Sequence, residues 1–404
     1  MTILEEAEAL ADDIVADRRW LHEHPEIGFD LPQTTAYVAD RLREIGLEPK
    51  EIVPGGLVAT IGDPSQGRCF MLRADMDALP LREETGLPFA SQNGFMHACG
   101  HDAHTAMLLG AARILKAHEA ELDGCVKLMF QPDEEGTAPD EICGNEAMIN
   151  AGVLEDPHVD AAAAIHLMPF DFHLGEVATR PGTGFSSIDD IDIVVHGKGG
   201  HGSRPNQLVD PFNIACHIFQ GAQNLIAREL DPNDQAVITF GAMNGGTAAN
   251  IVPDDVRMLG TLRTVDEGTR AHLKKRMTAM CEGIAEAFGG SVEVQFLRGV
   301  PSVHNDPALT RELIGYMEEL TGRPVTILDK PISGSDDMSV ISQAVPTAYF
   351  VVGTGTEDEG VRYPVHNARV VFDESVFAEG AAMTATMALR WLAARADGKG
   401  EIDG

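Results

Sequence analysis

The densest run of reactive side chains is His97-Ala98-Cys99-Gly100-His101-Asp102-Ala103-His104, which puts three imidazoles, a thiol and a carboxylate in eight positions where a helical pattern begins. Thiolate and neutral imidazole are good donors to zinc-like ions, so Cys99 and His101, one residue apart in a loop, can ligate one ion or two adjacent ones. A helix cap at Asp102 with incidental histidines is the competing explanation. A thiol nucleophile paired with His101 is less apt. Residues this close in a loop rarely align Sγ with an imidazole and still leave room for an orienting third group.

A second cluster, Asp133-Glu134-Glu135, follows directly on the apolar run that ends at Phe130-Gln131-Pro132. Three adjacent acids repel one another unless a cation or a proton sits among them. A solvated turn accounts for them equally well in isolation. With metal present, the two glutamates divide the labour: one binds an ion while the other takes a proton from metal-bound water. His166, in Ala163-Ala164-Ile165-His166, and His366, in Tyr363-Pro364-Val365-His366, stand at the ends of apolar runs. Each alone reads as a core or turn histidine. Jointly, Cys99, His101, Glu135, His166 and His366 make a five-ligand set for two ions with a water between them.

Gly197-Lys198-Gly199-Gly200-His201-Gly202-Ser203-Arg204-Pro205 is glycine-rich but lacks the spacing and the terminal Lys-Ser/Thr of a phosphate-cradling loop. It reads as a tight turn presenting His201 as a hydrogen-bonding group, or as a plain hairpin. Asn250 and Arg263 are candidates for binding a carboxylate, Arg263 by its two-pronged fork.

These residues need strand ends and helix starts to hold them. Apolar runs at 56–61, 69–73 and 126–131 alternate with a helical stretch at 103–116, the rhythm of an α/β domain whose chemistry lies at strand ends. Before them come a helical N-terminus, a loop at 22–30 and a helix at 34–47. After Gly182 the texture changes to strand 189–196, helix 210–229, strands 236–241 and 256–263, helix 267–288 and strand 291–296, the β-α-β-β-α-β order of a ferredoxin-like unit. From about 306 a helix, a Gly/Ser/Asp loop, a strand at 346–352 and a last helix resume the first texture. The expected fold class is α/β. A discontinuous catalytic domain, 1–185 with 300–404 and a mixed sheet flanked by helices, carries an inserted α+β domain at 186–299. Residues after Arg395 read as a frayed tail.

A chain of 404 residues exceeds the size at which one core stops growing, which agrees with two domains. Its 63 acidic and 30 basic side chains give a formal charge of −33, a field that repels nucleic acid and anionic membrane surfaces. The N-terminus lacks a signal peptide's basic start and apolar core, and no run of ~18 apolar residues follows. Six scattered cysteines show no disulfide framework, so reduced thiols and a cytoplasmic location are expected.

Several stretches together resemble the dinuclear metallopeptidase family of aminoacylases and carboxypeptidases, in the branch of hippurate hydrolase and indole-acetyl-amino-acid hydrolases. They are Leu21-His22-Glu23-His24-Pro25-Glu26, the run 72–80 (LRADMDALP), the run 96–110 (MHACGHDAHTAMLLG), 131–135, His166, 197–205, 250–253 and His366. The resemblance implies that Cys99, His101, Glu135, His166 and His366 hold two divalent ions, zinc or manganese first, cobalt or nickel next. It makes Glu134 the general base that activates the bridging water. It assigns His201, from the inserted domain of a partner subunit, to the oxyanion, and places Asn250 and Arg263 near the substrate carboxylate. The inserted domain would serve as lid and dimerisation domain, giving a homodimer or larger homo-oligomer. The expected reaction is hydrolysis of N-acyl amino acids, with a dipeptidase or carboxypeptidase on the same site as the alternative. A metal-binding protein with a decayed site is disfavoured because the base and every ligand are present. The loop 136–145 is longer and more acidic than the branch's pattern.

Overall fold

The computed structural model describes residues 1–137 and 142–396; residues 138–141 of the acidic loop and 397–404 of the expected tail lie outside them. In chain order the first elements are α1 (Ile3–Ala9), α2 (Ala11–Glu23), α3 (Pro32–Glu44), β1 (Lys50–Val53), β2 (Gly56–Gly62) and β3 (Arg68–Asp75). They are followed by α4 (His101–Ala117), β4 (Gly124–Gln131), α5 (Gly144–Asn150), β5 (Ala161–Phe170), β6 (Val177–Thr179) and β7 (Gly182–Phe185). The middle of the chain forms β8 (Ile188–His196), β9 (Gly200–His201), α6 (Pro211–Glu229), β10 (Ala236–Asn244), β11 (Ile251–Val252), β12 (Asp255–Thr264), α7 (Glu267–Ala287) and β13 (Ser291–Val300). The remainder is β14 (Val303–Asn305), α8 (Pro307–Thr321), β15 (Thr326–Ile327), α9 (Met338–Ser342), β16 (Thr347–Thr356) and α10 (Phe377–Ala393).

The chain divides into two compact units. The first comprises Met1–Gly184, His304–Lys330 and the residues from Val340 onward; the second comprises Phe185–Val303 and Pro331–Ser339. In the first unit eight strands form one sheet in the order β1-β2-β4-β3-β5-β16-β6-β15. The central strands β4, β3, β5 and β16 run parallel, while β1, β2 and β6 pair antiparallel. This is a mixed α/β sheet flanked by helices. Nearly every residue of β3 and β4 is buried, the mark of parallel strands covered on both faces. Close approach of the covering helices needs small residues. A Cβ at Gly110 of α4 would lie 2.7 Å from Ile14 of α2 and 3.0 Å from Ala381 of α10. Trp391 of α10 is fully buried with its ring 5.0 Å from that of Phe70 on β3.

Two expectations shift at the site's edges. The helix α2 continues through Glu23, so His22 lies on a helix rather than at the start of a loop. His166 sits inside the ten-residue β5 instead of at a strand end, because Leu167 to Phe170 continue the buried pairing with β16.

The second unit carries a four-stranded antiparallel sheet in the order β10-β12-β8-β13, with α6 and α7 supplying the apolar side of its core. Asp210 caps α6 by accepting from the backbone of Phe212 and Asn213, and Asp266 caps α7 by accepting from Thr269. A two-stranded ribbon pairs β9 with β11 in the register Ile251↔His201.

Candidate metal centre

The site lies in the first unit, where the carboxyl ends of β3 and β4 and the middle of β5 meet the first turn of α4. Ligands bind at such strand ends in parallel sheets because the chain there leaves the sheet and frees its polar groups. Gly100 precedes α4 with φ 93°, and a Cβ there would press within 3.0 Å of the Phe372 ring. Only glycine takes that left-handed turn without strain. The turn brings Cys99 and His101 onto one cluster with His166, their donor atoms all within 4.8 Å of one another.

Cys99 Sγ stands 3.4 Å from His166 Nε2 and 3.4 Å from His366 Nε2. His366 Nε2 is 3.3 Å from Glu135 Oε1. His101 Nε2 lies 4.0 Å from that same Glu135 oxygen, 3.8 Å from Glu134 Oε2 and 3.7 Å from Asp75 Oδ2. Two donors sharing a tetrahedral ion at bond lengths of about 2.0–2.3 Å are about 3.4–3.6 Å apart, so the cysteine and His366 contacts have the spacing of common ligands. The structure thus brings together all five residues expected as ligands, with Glu134 beside them. His366 is half-exposed and comes from the loop after β16 rather than from a strand end. Its φ of 63° is uncommon for a side chain with a Cβ, and its N–H is anchored on Ala98 O at 2.8 Å.

The histidines are oriented from behind. His101 Nδ1 donates to Asp77 O at 2.9 Å, and His166 Nδ1 donates to Leu167 O at 2.8 Å. Each bond fixes the tautomer that leaves Nε2 with its lone pair toward the cluster. Asp77 also accepts the N–H groups of Glu134 at 3.0 Å and Glu135 at 3.1 Å, fixing the turn on which both glutamates sit.

The electrostatics fit a cation. Burial, helped by the Glu135 charge, holds the Cys99 thiol well above its ordinary range. Burial also raises the Asp77 carboxyl. Burial opposes ionisation of Asp75, but Arg73, His101 and His104 outweigh it and hold that carboxyl well below its ordinary value. Against burial, Asp75 and Cys99 raise His101, whereas burial and His104 depress His166. His101 Nε2 and Glu135 Oε1 are buried without a hydrogen-bond partner among the described residues. An orphaned imidazole nitrogen and carboxylate oxygen beside a thiol, with further carboxylates crowded among them, suit divalent ions of the zinc and manganese class.

The remaining expected residues belong to the second unit. His201 on β9 is exposed, and its Nδ1 accepts the Ser203 N–H at 3.2 Å, leaving Nε2–H as an outward donor. Asn250 adjoins it, its carbonyl accepting the Gly202 N–H at 3.0 Å. Arg263 on β12 donates one guanidinium N–H to Ser333 O at 3.2 Å.

Residues 71–390, a span that includes all five clustered donors, match the description Peptidase family M20/M25/M40. The chain belongs to this family. Among its M20-like relatives, thermostable carboxypeptidase 1 of Saccharolobus solfataricus is 37% identical over 386 residues, 95% of this chain and 96% of that one. N-acetylcysteine deacetylase of Bacillus subtilis is 36% identical over 345 residues, 84% of this chain and 88% of that one. The crystal structure of the Bacillus subtilis YXEP protein, a dinuclear metal-binding peptidase of the M20 family, superposes with a TM-score of 0.81. It is 31% identical, covering 96% of this chain and 99% of that one. This is therefore a hydrolase of the M20 family, in which amidohydrolases and peptidases share one architecture. No helix among the described residues is long and apolar enough to cross a membrane.

Sequence reasoning assigned no role to Asp75, Asp77 or His104, which stand directly behind the M20 cluster. The signal was present. LRADMDALP places two acids in alternation at a strand end, and His104 follows His101 by three positions, on the same helical face.

Proposed function

We propose that this chain hydrolyses the amide bond of N-acyl amino acids, using Cys99, His101, Glu135, His166 and His366 to hold two divalent ions and Glu134 as general base. The observation that carries the reading is the donor cluster itself, with a glutamate at its rim that is not needed as a ligand and stands 3.8 Å from His101. When bound, the ions supply Lewis-acid polarisation of a carbonyl and lower the pKa of a water. Glu134 takes a proton from the attacking water and delivers it to the leaving nitrogen. Asp77 steadies that step by holding the Glu134 N–H. His201, from the second unit of a partner subunit, donates Nε2–H to the oxyanion, with Asn250 and Arg263 meeting the substrate carboxylate. In this reading the second unit is the lid and dimerisation domain of a homodimer. Six free cysteines favour the cytoplasm.

The N-acyl reading draws on the deacetylase relative; the carboxypeptidase relative favours a second one, cleavage of peptides at the same site. The experiment is hydrolysis of N-acetyl, N-benzoyl and larger N-acyl amino acids beside free dipeptides, by protein stripped with chelator and reloaded with zinc, manganese or cobalt. Metal-restored release of amino acid from an acyl series is expected. Turnover of free dipeptides alone would replace it with the second reading, and silence with every metal and substrate would remove both.

A further inference from the structure

The central sheet is incomplete at the metal cluster. The pairing of β3 with β5 runs from Phe70↔Ala161 to Arg73↔Ala164 and stops there, although β3 continues to Asp75 and β5 to Phe170. The outer neighbours stay paired: β3 remains in register with β4 as far as Asp75↔Gln131, and β5 with β16 beyond His166. The two middle strands therefore part at the point where one delivers Asp75 and Asp77 and the other delivers His166.

One side chain spans the gap. The Leu167 N–H, which no residue of β3 accepts, donates to His104 Nε2 at 2.9 Å. Because Nε2 accepts, the ring proton is on Nδ1, which donates to Asp75 Oδ1 at 2.6 Å. Thr105 on the same helical turn donates its hydroxyl to Asp75 O at 2.8 Å. On the far side Arg73 binds Asp75 Oδ2 at 2.7 Å and Gln131 Oε1 on β4 at 2.6 Å. A bonded line thus crosses β4, β3, α4 and β5. Its imidazole takes the place of a missing backbone rung. His104 belongs to a group of residues able to hold an ion, with Asp75 and His101. The accepted Leu167 N–H occupies its Nε2 lone pair and removes it from that role.

We propose that His104 is a positioning residue: a side-chain rung that holds β3 and β5 at the separation the two-ion cluster requires and fixes the peptide following His166. The assignment rests on the metal-binding reading above. A rung needs a donor at one end and an acceptor at the other, which any buried residue of similar bulk does not supply. His104→Gln offers both from one amide. His104→Leu keeps the volume and removes both.

The test is zinc competition against a chromophoric chelator for the native full-length chain and the two variants, alongside thermal melting of the chelator-stripped proteins. His104→Leu is expected to weaken zinc binding about 10- to 100-fold, as loss of a residue behind a ligand does, while His104→Gln stays within about threefold of native. If His104→Leu does not fold, His104→Asn, which keeps the bond to Asp75 and leaves the Leu167 N–H unpaired, is expected to show the same loss. Native-like zinc affinity in the leucine or asparagine variant would overturn the rung. Equal loss in the glutamine and leucine variants would overturn it too, since only the ring's shape would then matter. A native chain that binds no zinc would instead remove the metal reading and, with it, the purpose of the rung.

Discussion

At the scale of single residues, what separates the ligand candidates from ordinary core histidines is the occupation of their second nitrogen. His101 and His166 spend Nδ1 on backbone carbonyls and face Nε2 into the cluster, whereas His104 spends both nitrogens on protein. Glu134 and Glu135 share one turn held by Asp77, so their separate roles can be separated by mutation. Glu134→Gln is expected to bind zinc as the native chain does and to lose about 10²- to 10⁴-fold in turnover, checked by metal analysis with steady-state kinetics; undiminished turnover would end its role as base. Asp77→Ala keeps the backbone carbonyl that His101 binds but removes the carboxylate that holds both glutamate amides and lies 3.4 Å from His101 Nδ1, and it is expected to weaken zinc about 10- to 100-fold in the chelator assay. His201→Ala is expected to cut turnover about 10²- to 10³-fold with metal content unchanged. The ligand set was legible because Cys and His are few and each candidate, Glu135 included, adjoined an apolar run. Asp75, Asp77 and His104 were not, since a buried acid behind a ligand and an acid on the surface look alike in one dimension.

Among the elements, α4 bears the heaviest duty, presenting His101 from its first turn while fully packed. Its Asp102 is buried against Arg18 Nε at 2.9 Å and His22 Nδ1 at 2.7 Å, and His22 Nε2 meets Glu83 at 3.2 Å. Burial opposes charge on His22, but Asp102 and Glu83 outweigh it and raise its pKa; Arg18 and His22, against burial, keep Asp102 ionised. The folded chain therefore binds the His22 proton more tightly than the unfolded one. That stabilisation is complete below about pH 6.5 and is lost as pH climbs through the raised value. For Asp102 the sense reverses: its contribution is complete above about pH 4 and is lost as pH falls through the lowered value. His22→Gln is expected to cost about 3–5 kcal/mol near pH 6, and its deficit against the native chain should shrink as pH rises past the raised pKa, read by melting of metal-free protein. A deficit independent of pH would mean packing rather than charge. The elements themselves were readable where period and length agreed, as in α4, β3 and β4. The strand β5 was harder, because four consecutive alanines favour helix by propensity and only burial between β3 and β16 makes them a strand.

For the whole molecule the ruling quantity is charge. A surplus of 63 acids over 30 bases repels itself in the folded state, and ions screen that repulsion over about 10 Å at 0.1 M and about 3 Å at 1 M. The metal-free chain is expected to melt a few degrees higher in about 1 M potassium chloride than in about 0.1 M, measured by calorimetry. A flat or falling trend would show that the acids are paired or too dispersed to matter. Chain order carries a separate consequence, set by the pairing of β5 with β16 in the register Thr347↔Ala162. A ribosome adding about 5–20 residues each second needs roughly 10 to 40 s to make the stretch between them. Throughout that interval the nascent chain has Cys99, His101, Glu135 and His166 but neither the strand that covers β5 nor His366. An exposed thiol, a bare strand edge and an incomplete ligand set then coexist, so the newborn polypeptide is most vulnerable to stray metal and to a chaperone's grip just before β16 emerges.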